Sequence, residues 1–442
     1  MGFATPAAWI GVTLALVMLT GCAPVQDPAE TSAARLAAPD RSRVSDAVSR
    51  SAFGQAVAAA VRGHPDLALG SADLRAAQAA RNGAEGAFRP DLSLGVSAAS
   101  NRTGGVTSSN TSPFLRASQL VYDAGAARAE ITAARARVSQ RAADRTGLAA
   151  AAALEAVQAW RAVSDTRRLL VLARQNRAAL GDIANRIDLR AESGAGTAAD
   201  RLSAQSRLAD ADTRLADAKV AAQKAEARFA SLFGAPPTSL GAAIPAPDLP
   251  GGTADIAQSP RLIAAEAAVE AAQADLEATR ARRFPRVELA ATGQQASGGG
   301  SDIGLDLSLT YSLDTRRDRA AAVEQAEATL EAARAARDGL ARDISEALAF
   351  VRADRAGALA RLRAARSAAD SAAQAVAARQ EQFAIGRSSL VDLLDAQREK
   401  LNTQETLVTA ESDRFLTGYA ALALTGDILG AFAIALPDPA TP

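Results

Sequence analysis

The sequence predicts a mainly α protein with a small β part: long antiparallel coiled-coil helices in two structural repeats, with two strands in each repeat. Three observations carry this expectation. Residues 125–193 and 317–385 contain no proline, are rich in Ala, Arg, Glu and Leu, and each hold 69 residues. As helix, such a stretch is about 100 Å long, beyond the core of any compact domain of this size. Residues 302–312 instead alternate strictly, with Ile303, Leu305, Leu307, Leu309 and Tyr311 set against Gly304, Asp306, Ser308, Thr310 and Ser312. Finally, glycines, prolines and aspartates recur at fixed offsets along the chain, which alanine bias alone does not produce.

Composition narrows the function classes. The 442 residues carry 49 Lys+Arg and 49 Asp+Glu, one cysteine, one histidine and 4% aromatics. One cysteine cannot form an internal disulfide, and one histidine with one cysteine cannot furnish a Cys/His metal site or a His-dependent triad. Zero formal charge gives no electrostatic reason for nucleic acid binding. No nucleophile–base arrangement, phosphate loop or metal-ligand spacing is present, so neither an enzyme nor a cofactor is expected. Abundant alanine with few aromatics favours helices lying side by side over large globular cores.

The elements follow in order. Residues 1–26 carry no charged side chain, and the apolar run Ala7 to Leu19 is too short to span a bilayer. It ends in Leu19-Thr20-Gly21-Cys22, which resembles the lipobox of a bacterial lipoprotein signal peptide. On that resemblance residues 1–21 are removed, Cys22 is lipidated, and 22–44 form a tether. An ordinary cleaved signal with an incidental cysteine is the alternative; the sole cysteine stands at the one position the motif requires.

Residues 45–234 form the first repeat and 261–426 the second. His64-Pro65-Asp66-Leu67 and Ser259-Pro260-Arg261-Leu262 stand 195 apart, as do Pro90 and Pro285. Farther along, Gly194, Thr197, Asp200, Ala204 and Gln205 match Gly386, Ser389, Asp392, Ala396 and Gln397 at an offset of 192, and Gly234 matches Gly426. Each repeat has a lead-in helix (66–88; 261–283) ending near a proline and two strands (90–99 and 114–122; 286–295 and 302–312). A long helix (125–193; 317–385), a glycine break and a return helix (197–233; 389–425) complete it. The Gly-, Ser- and Thr-rich stretches Asn101 to Ser112 and Ala296 to Ser301 are expected as loops. Pro236, Pro237, Pro245, Pro247 and Pro250, with the adjacent Gly251 and Gly252, make 235–260 an inter-repeat linker, and 427–442 is expected as a C-terminal tail. His64, before a proline at a helix start, reads as a cap or surface residue.

The return helix spaces Leu394, Leu401, Val408, Phe415 and Leu422 by seven, as Leu208, Leu215, Ala222 and Phe229 do in the first repeat. That is a coiled-coil period, equally compatible with a plain antiparallel hairpin. The strands favour more than that. Ten tilted residues cross a bilayer, and Phe88, Tyr122, Phe284 and Tyr311 all sit where helix meets strand, the level of a membrane-interface aromatic belt. A small soluble sheet with core aromatics is the competing reading. Four strands cannot close a membrane barrel, and open edges do not survive in lipid, so a membrane sheet requires several chains.

Four motifs resemble the TolC-like outer-membrane efflux proteins: His64-Pro65-Asp66-Leu67; Phe88-Arg89-Pro90; Gln119 to Gly125; and Phe383 to Gln397, reading FAIGRSSLVDLLDAQ. The resemblance covers about residues 45–426. It implies a homotrimer in outer-membrane lipid, with a twelve-stranded β-barrel and an α-helical barrel reaching into the periplasm. It implies a passive conduit working with a periplasmic adaptor and, through it, an inner-membrane transporter, in efflux or type I secretion. The tip turns that dock the adaptor would be Gly194, Gly196 and Thr197, and Gly386, Arg387, Ser388, Ser389 and Leu390. Asp392 and Asp395, with Asp200, would form acidic rings at an entrance constriction; ordinary solvated charge at a helix start is the alternative. By the same resemblance Phe383 lacks the hydroxyl often found at its place, and Ser388 stands where an arginine is found in the family. A periplasmic coiled-coil adaptor would have one hairpin flanked by β-rich halves, and a structural envelope lipoprotein without a pore would lack alternating strands.

Overall fold

In a computed structural model the described residues are 46–194, 196–238, 240–247, 253–295, 301–311 and 316–436. The signal segment 1–21, the tether 22–44 and Cys22 lie outside them, as do parts of the linker and the tail. Two short helices, α1 (Asp46–Ser49) and α2 (Ala52–Arg62), precede α3 (Pro65–Glu85). Strands β1 (Asp91–Thr103) and β2 (Val106–Tyr122) lead into α4 (Ala126–Glu192) and its return helix α5 (Ala198–Phe233). The second repeat gives α6 (Pro260–Ala281), β3 (Arg286–Gln295), β4 (Ser301–Thr310), α7 (Arg316–Ala384) and α8 (Leu390–Thr425), and α9 (Ile428–Ala431) closes the chain.

Local chemistry accounts for the boundaries. Pro65 and Pro260 stand at the first turn of α3 and α6, where a missing N–H costs nothing. His64 caps α3, its Nδ1 accepting from the Asp66 N–H at 3.2 Å. Asp123 starts α4 by accepting from Gly125 N at 3.0 Å and Ala127 N at 2.6 Å. Gly234 and Gly426, at φ +74° and +86°, end α5 and α8 in the left-handed conformation that glycine adopts without strain.

The helices form four columns. α4 (67 residues) and α7 (69 residues) run unbroken for about 100 Å. Against the first half of α4 lie α3 and α6, held by Arg135–Glu85 at 3.3 Å and Arg282–Glu130 at 2.6 Å. Against its second half lie α5 and α8, through Arg177–Asp212 at 2.9 Å and the pair Arg168–Glu411. α7 follows α6 and then α8, through Arg280–Glu327 at 2.6 Å and Arg366–Glu411 at 3.5 Å. The contact surface of α4 is chiefly alanine, which brings backbones close; the heptad residues Leu394, Leu401, Val408, Phe415 and Leu422 are all buried.

Midway along the columns, six of the 16 aromatics gather in one compact core: Phe53, Trp160, Phe229, Phe415, Tyr419 and Phe432 are buried there. Phe53 stands edge-on to Trp160, Phe415, Tyr419 and Phe432 at centroid distances of 5.3 to 6.1 Å. The linker lays Leu240 and Ile244 on this core, and Ile244 C=O accepts from the Tyr419 hydroxyl at 2.7 Å. Burial pushes the Tyr419 hydroxyl pKa up. The first part of the expected tail is likewise core, with Ile428, Leu429, Phe432 and Ile434 buried.

The four strands form one antiparallel sheet in the order β1-β2-β3-β4. The first hairpin is longer than expected. Strands 90–99 and 114–122 and the loop 101–112 are replaced by a ladder running from Asp91↔Ser118 to Thr103↔Val106. Backbone pairing does not require apolar side chains, so this polar stretch continues the ladder. Gly104 and Gly105, at φ +62° and +88°, make the two-residue turn whose twist suits a hairpin.

Candidate functional site: the open sheet and the helical tip

The sheet has two chemically distinct faces. Register places Leu92, Leu94 and Val96 of β1 beside Ala117, Leu115 and Pro113 of β2. Leu115 and Ala117 pair with Gly293 and Ala291 of β3, which pair in turn with Ile303 and Leu305 of β4. Leu289↔Leu307 and Val287↔Leu309 extend the same face. It is apolar across all four strands and uncovered: Leu94 is 81% exposed and Ile303 89%. The opposite face carries Ser93, Arg116, Glu288, Asp302, Asp306 and Ser308. Burying polar atoms inside and leucines outside would reverse the order for a soluble sheet. β1 and β4 each leave one side of their backbone unpaired.

Phe88, Tyr122, Phe284 and Tyr311 stand together at the helix–strand junctions and are all exposed. They are not core residues of the chain. Between the polar face and the helix ends lies a cavity of about 550 Å³, lined by Leu120, Glu130, Arg282, Phe284, Glu288 and Arg319 among others.

At the far end both hairpins turn on glycine. Gly386 has φ +76°, its N–H donates to Phe383 C=O at 3.2 Å, and Arg387 N–H donates to Gln382 C=O at 2.8 Å. These are the paired bonds of a Schellman cap. Gly194, at φ +77°, donates to Ala191 C=O at 3.1 Å in the equivalent turn. A side chain at Gly196 would press on the backbone of Arg190 and Ala191, at 3.0 to 3.3 Å.

The two return helices then begin alike. Ser389 and Asp392 form a capping box: Asp392 N–H donates to Ser389 Oγ at 3.1 Å, and Ser389 N–H donates to Asp392 Oδ2 at 3.2 Å. Hydrogen bonds from Ser389, with lesser help from Arg379 and Ser388, hold the Asp392 carboxyl below its ordinary pKa. In the first repeat Asp200 N–H donates to Thr197 Oγ1 at 3.0 Å, and Thr197 Oγ1 donates to Asp200 Oδ2 at 2.7 Å. Within one chain, then, Asp392 and Asp200 are helix-start acids. Asp395, one turn on, faces Arg207 at 3.5 Å and Arg398 at 3.8 Å.

Sequence reading found the acids but missed their basic partners: Arg207 pairs with Asp395 from a helix of the other repeat, and Arg379 with Asp392 across the turn between α7 and α8. It also missed Arg190, whose guanidinium lies 4.7 Å from the Phe383 ring centroid and joins the two hairpins. Leu390 is buried in the tip core with Leu180, Ile183, Ile187, Leu393 and Leu394, whereas Gly386, Arg387 and Ser389 are exposed.

No described helix is long and apolar enough to cross a membrane. No curated protein matches the sequence. Among solved structures, a membrane protein from Pseudomonas aeruginosa superposes with a TM-score of 0.79 at 22% identity, over 85% of this chain and 94% of that one. The outer membrane protein VceC of Vibrio cholerae gives 0.77 at 19% identity, over 85% and 96%. The open state of the MtrE outer membrane channel of Neisseria gonorrhoeae gives 0.76 at 19% identity, over 85% and 88%. Such identities establish the fold. The sequence itself matches the family model described as outer membrane efflux protein over residues 57–235 and 255–424, both repeats in turn. The chain belongs to the outer membrane efflux protein family, and is an efflux channel rather than an enzyme.

Proposed function

We propose that three copies of this chain pool their strands into a twelve-stranded barrel and their helices into a periplasmic tunnel. The assembly is a passive conduit from periplasm to exterior in a tripartite efflux or type I secretion system. The observation that carries this is the open four-stranded sheet, apolar on one face and polar on the other, joined to helical columns about 100 Å long. Neither unpaired edge is tolerable in lipid, and closed membrane barrels need at least eight strands. Family resemblance supplies the number three. The exposed aromatics at the junctions would mark the periplasmic interface, and Cys22 would carry the acyl chains.

The tip turns would dock a periplasmic adaptor, and through it an inner-membrane transporter. In a trimer Asp392 and Asp395 would stack as acidic rings near the entrance, with Asp200 close by. Such rings draw in cations and resist constriction, since like charges repel in a narrow space. Full-length protein in planar bilayers is expected to open in discrete steps that multivalent cations block, and the double variant Asp392→Ala/Asp395→Ala to lose that block. A wild-type protein without steps would refute the conduit; unchanged block in the double variant would refute the acidic rings.

A further inference from the structure

The two repeats differ in charge where lead-in helix meets strand. At the offset of 195, Glu85 becomes Arg280, Phe88 becomes Arg283 and Asp91 becomes Arg286. Two acids are thus replaced by arginines, and α7 then opens with Arg316, Arg317 and Arg319 within four residues. A duplicated fold does not require this reversal, since the first repeat builds the same junction with Glu85, Asp91 and a single arginine, Arg89.

Two of these arginines, Arg280 and Arg283, line a hollow. A cavity of about 470 Å³ is lined by Arg280, Arg283, Phe284, Pro285 and Tyr311. Tyr311 follows β4 in step with Ile303, Leu305, Leu307 and Leu309, so it continues the apolar outer face. The hollow therefore adjoins that face, whereas the larger cavity, with Glu288 and Thr310, adjoins the polar one. Arg280 is neutralised by Glu327 at 2.6 Å. Arg319 lies 5.2 Å from the Tyr311 ring centroid and donates to the Arg283 carbonyl at 3.4 Å, which fixes the rim. Arg283 itself is exposed and forms no ion pair among the described residues.

We propose that this hollow binds the phosphodiester headgroup of an anionic phospholipid at the periplasmic edge of the membrane. Arg283 faces the phosphate, and Phe284 and Tyr311 flank the glycerol and upper acyl carbons. Guanidinium suits the phosphate and exposed aromatics suit the interfacial level, so one pocket satisfies both halves of a phospholipid. The proposal rests on the membrane reading of the sheet.

The test uses full-length protein in neutral detergent, titrated with short-chain phosphatidylglycerol or phosphatidylcholine, with bound lipid read by native mass spectrometry. Wild type should retain phosphatidylglycerol in preference to phosphatidylcholine. Arg283→Gln should weaken phosphatidylglycerol binding roughly fivefold, the worth of one basic residue at an anionic surface, and Arg283→Lys should restore most of it. Equal retention of both lipids by wild type, or unaltered binding in Arg283→Gln, would overturn the proposal. Competition by inorganic phosphate alone would also overturn it, in favour of a free-anion site. Loss of oligomer in Arg283→Gln without added lipid would overturn it too, showing that a carboxylate of a neighbouring copy occupies the hollow. Flotation of Cys22→Ser protein, which lacks the acyl anchor, with phosphatidylcholine vesicles tests the membrane reading separately: a Cys22→Ser protein that floats, beside a wild type that fails the lipid comparison, leaves the barrel reading intact and removes only this site.

Discussion

At the residue scale, the tip acids hold their own helices in place before any assembled role is considered. Thr197 satisfies the Asp200 amide and Ser389 the Asp392 amide, donors that would otherwise face solvent unpaired. Thr197→Ala should cost about 1 kcal/mol of local stability, read as faster hydrogen exchange in the first turn of α5 and not elsewhere. Asp392 adds a dependence on pH with a definite sign. Its folded pKa lies below the ordinary value because Ser389 donates to the carboxylate. Its contribution is therefore complete above the unfolded carboxyl pKa, and is lost as pH falls through the folded one. Acid should speed exchange in the first turn of α8, and Asp392→Asn should abolish that acid dependence while leaving neutral-pH exchange only modestly faster. Cys22 allows an equally direct check: radiolabelled palmitate should enter the wild-type chain and not Cys22→Ser.

At the element scale, much of the architecture is legible because its signals are local. The absence of proline over 67 and 69 helical residues, and the glycines at 194 and 386, fix the long helices and their turns. Strand β4 is legible because every second residue is apolar. Two features escaped for the same reason: their causes are not local. The polar half of the first hairpin has no alternation to read, and its only cue was the adjacent pair Gly104-Gly105. The aromatic core assembles from α2, α4, α5, α8 and the chain after Gly426, so no window of sequence contains it. Only in hindsight does the apolar run Ile428 to Phe432, just past a helix-ending glycine, announce a docked segment. Trp160 is buried in that core between Phe53 and Phe229, and Trp160→Ala should cost about 3–5 kcal/mol and lower the thermal midpoint of the whole chain. The sheet makes a sharper test. Leu305→Lys, on the outer face, should lose about 2–4 kcal/mol of membrane stability near the bilayer midplane. Ser308→Lys, on the inner face, should assemble normally, and equal loss in both would show that the faces are not divided between lipid and water.

At the scale of the whole molecule, the columns of a single chain end in unfinished surfaces. α4 is covered by α3 and α5 on one flank and by α6 and α8 on the other. Among the described residues α7 is covered chiefly by α6 and α8, and it leaves Phe350 (61% exposed) and Leu359 exposed. The opposite outer column likewise exposes Leu69, Leu202 and Val220. Scattered exposed apolar residues are ordinary, but here they lie on the same two flanks whose strands, β1 and β4, also lack partners. One operation, the rotation that brings β4 of one copy to β1 of the next, would cover both the strand edges and the helical flanks. In the proposed assembly Phe350 would lie between copies, and its exposure gives it little part in the folding of its own chain. Phe350→Glu should leave helical content and monomer stability unchanged by circular dichroism, yet shift the detergent-solubilised protein from oligomer to monomer by light scattering, and so abolish its channels. A Phe350→Glu protein that stayed oligomeric would place the contact between copies on some other face of α7, and one that unfolded would return Phe350 to the core of its own chain.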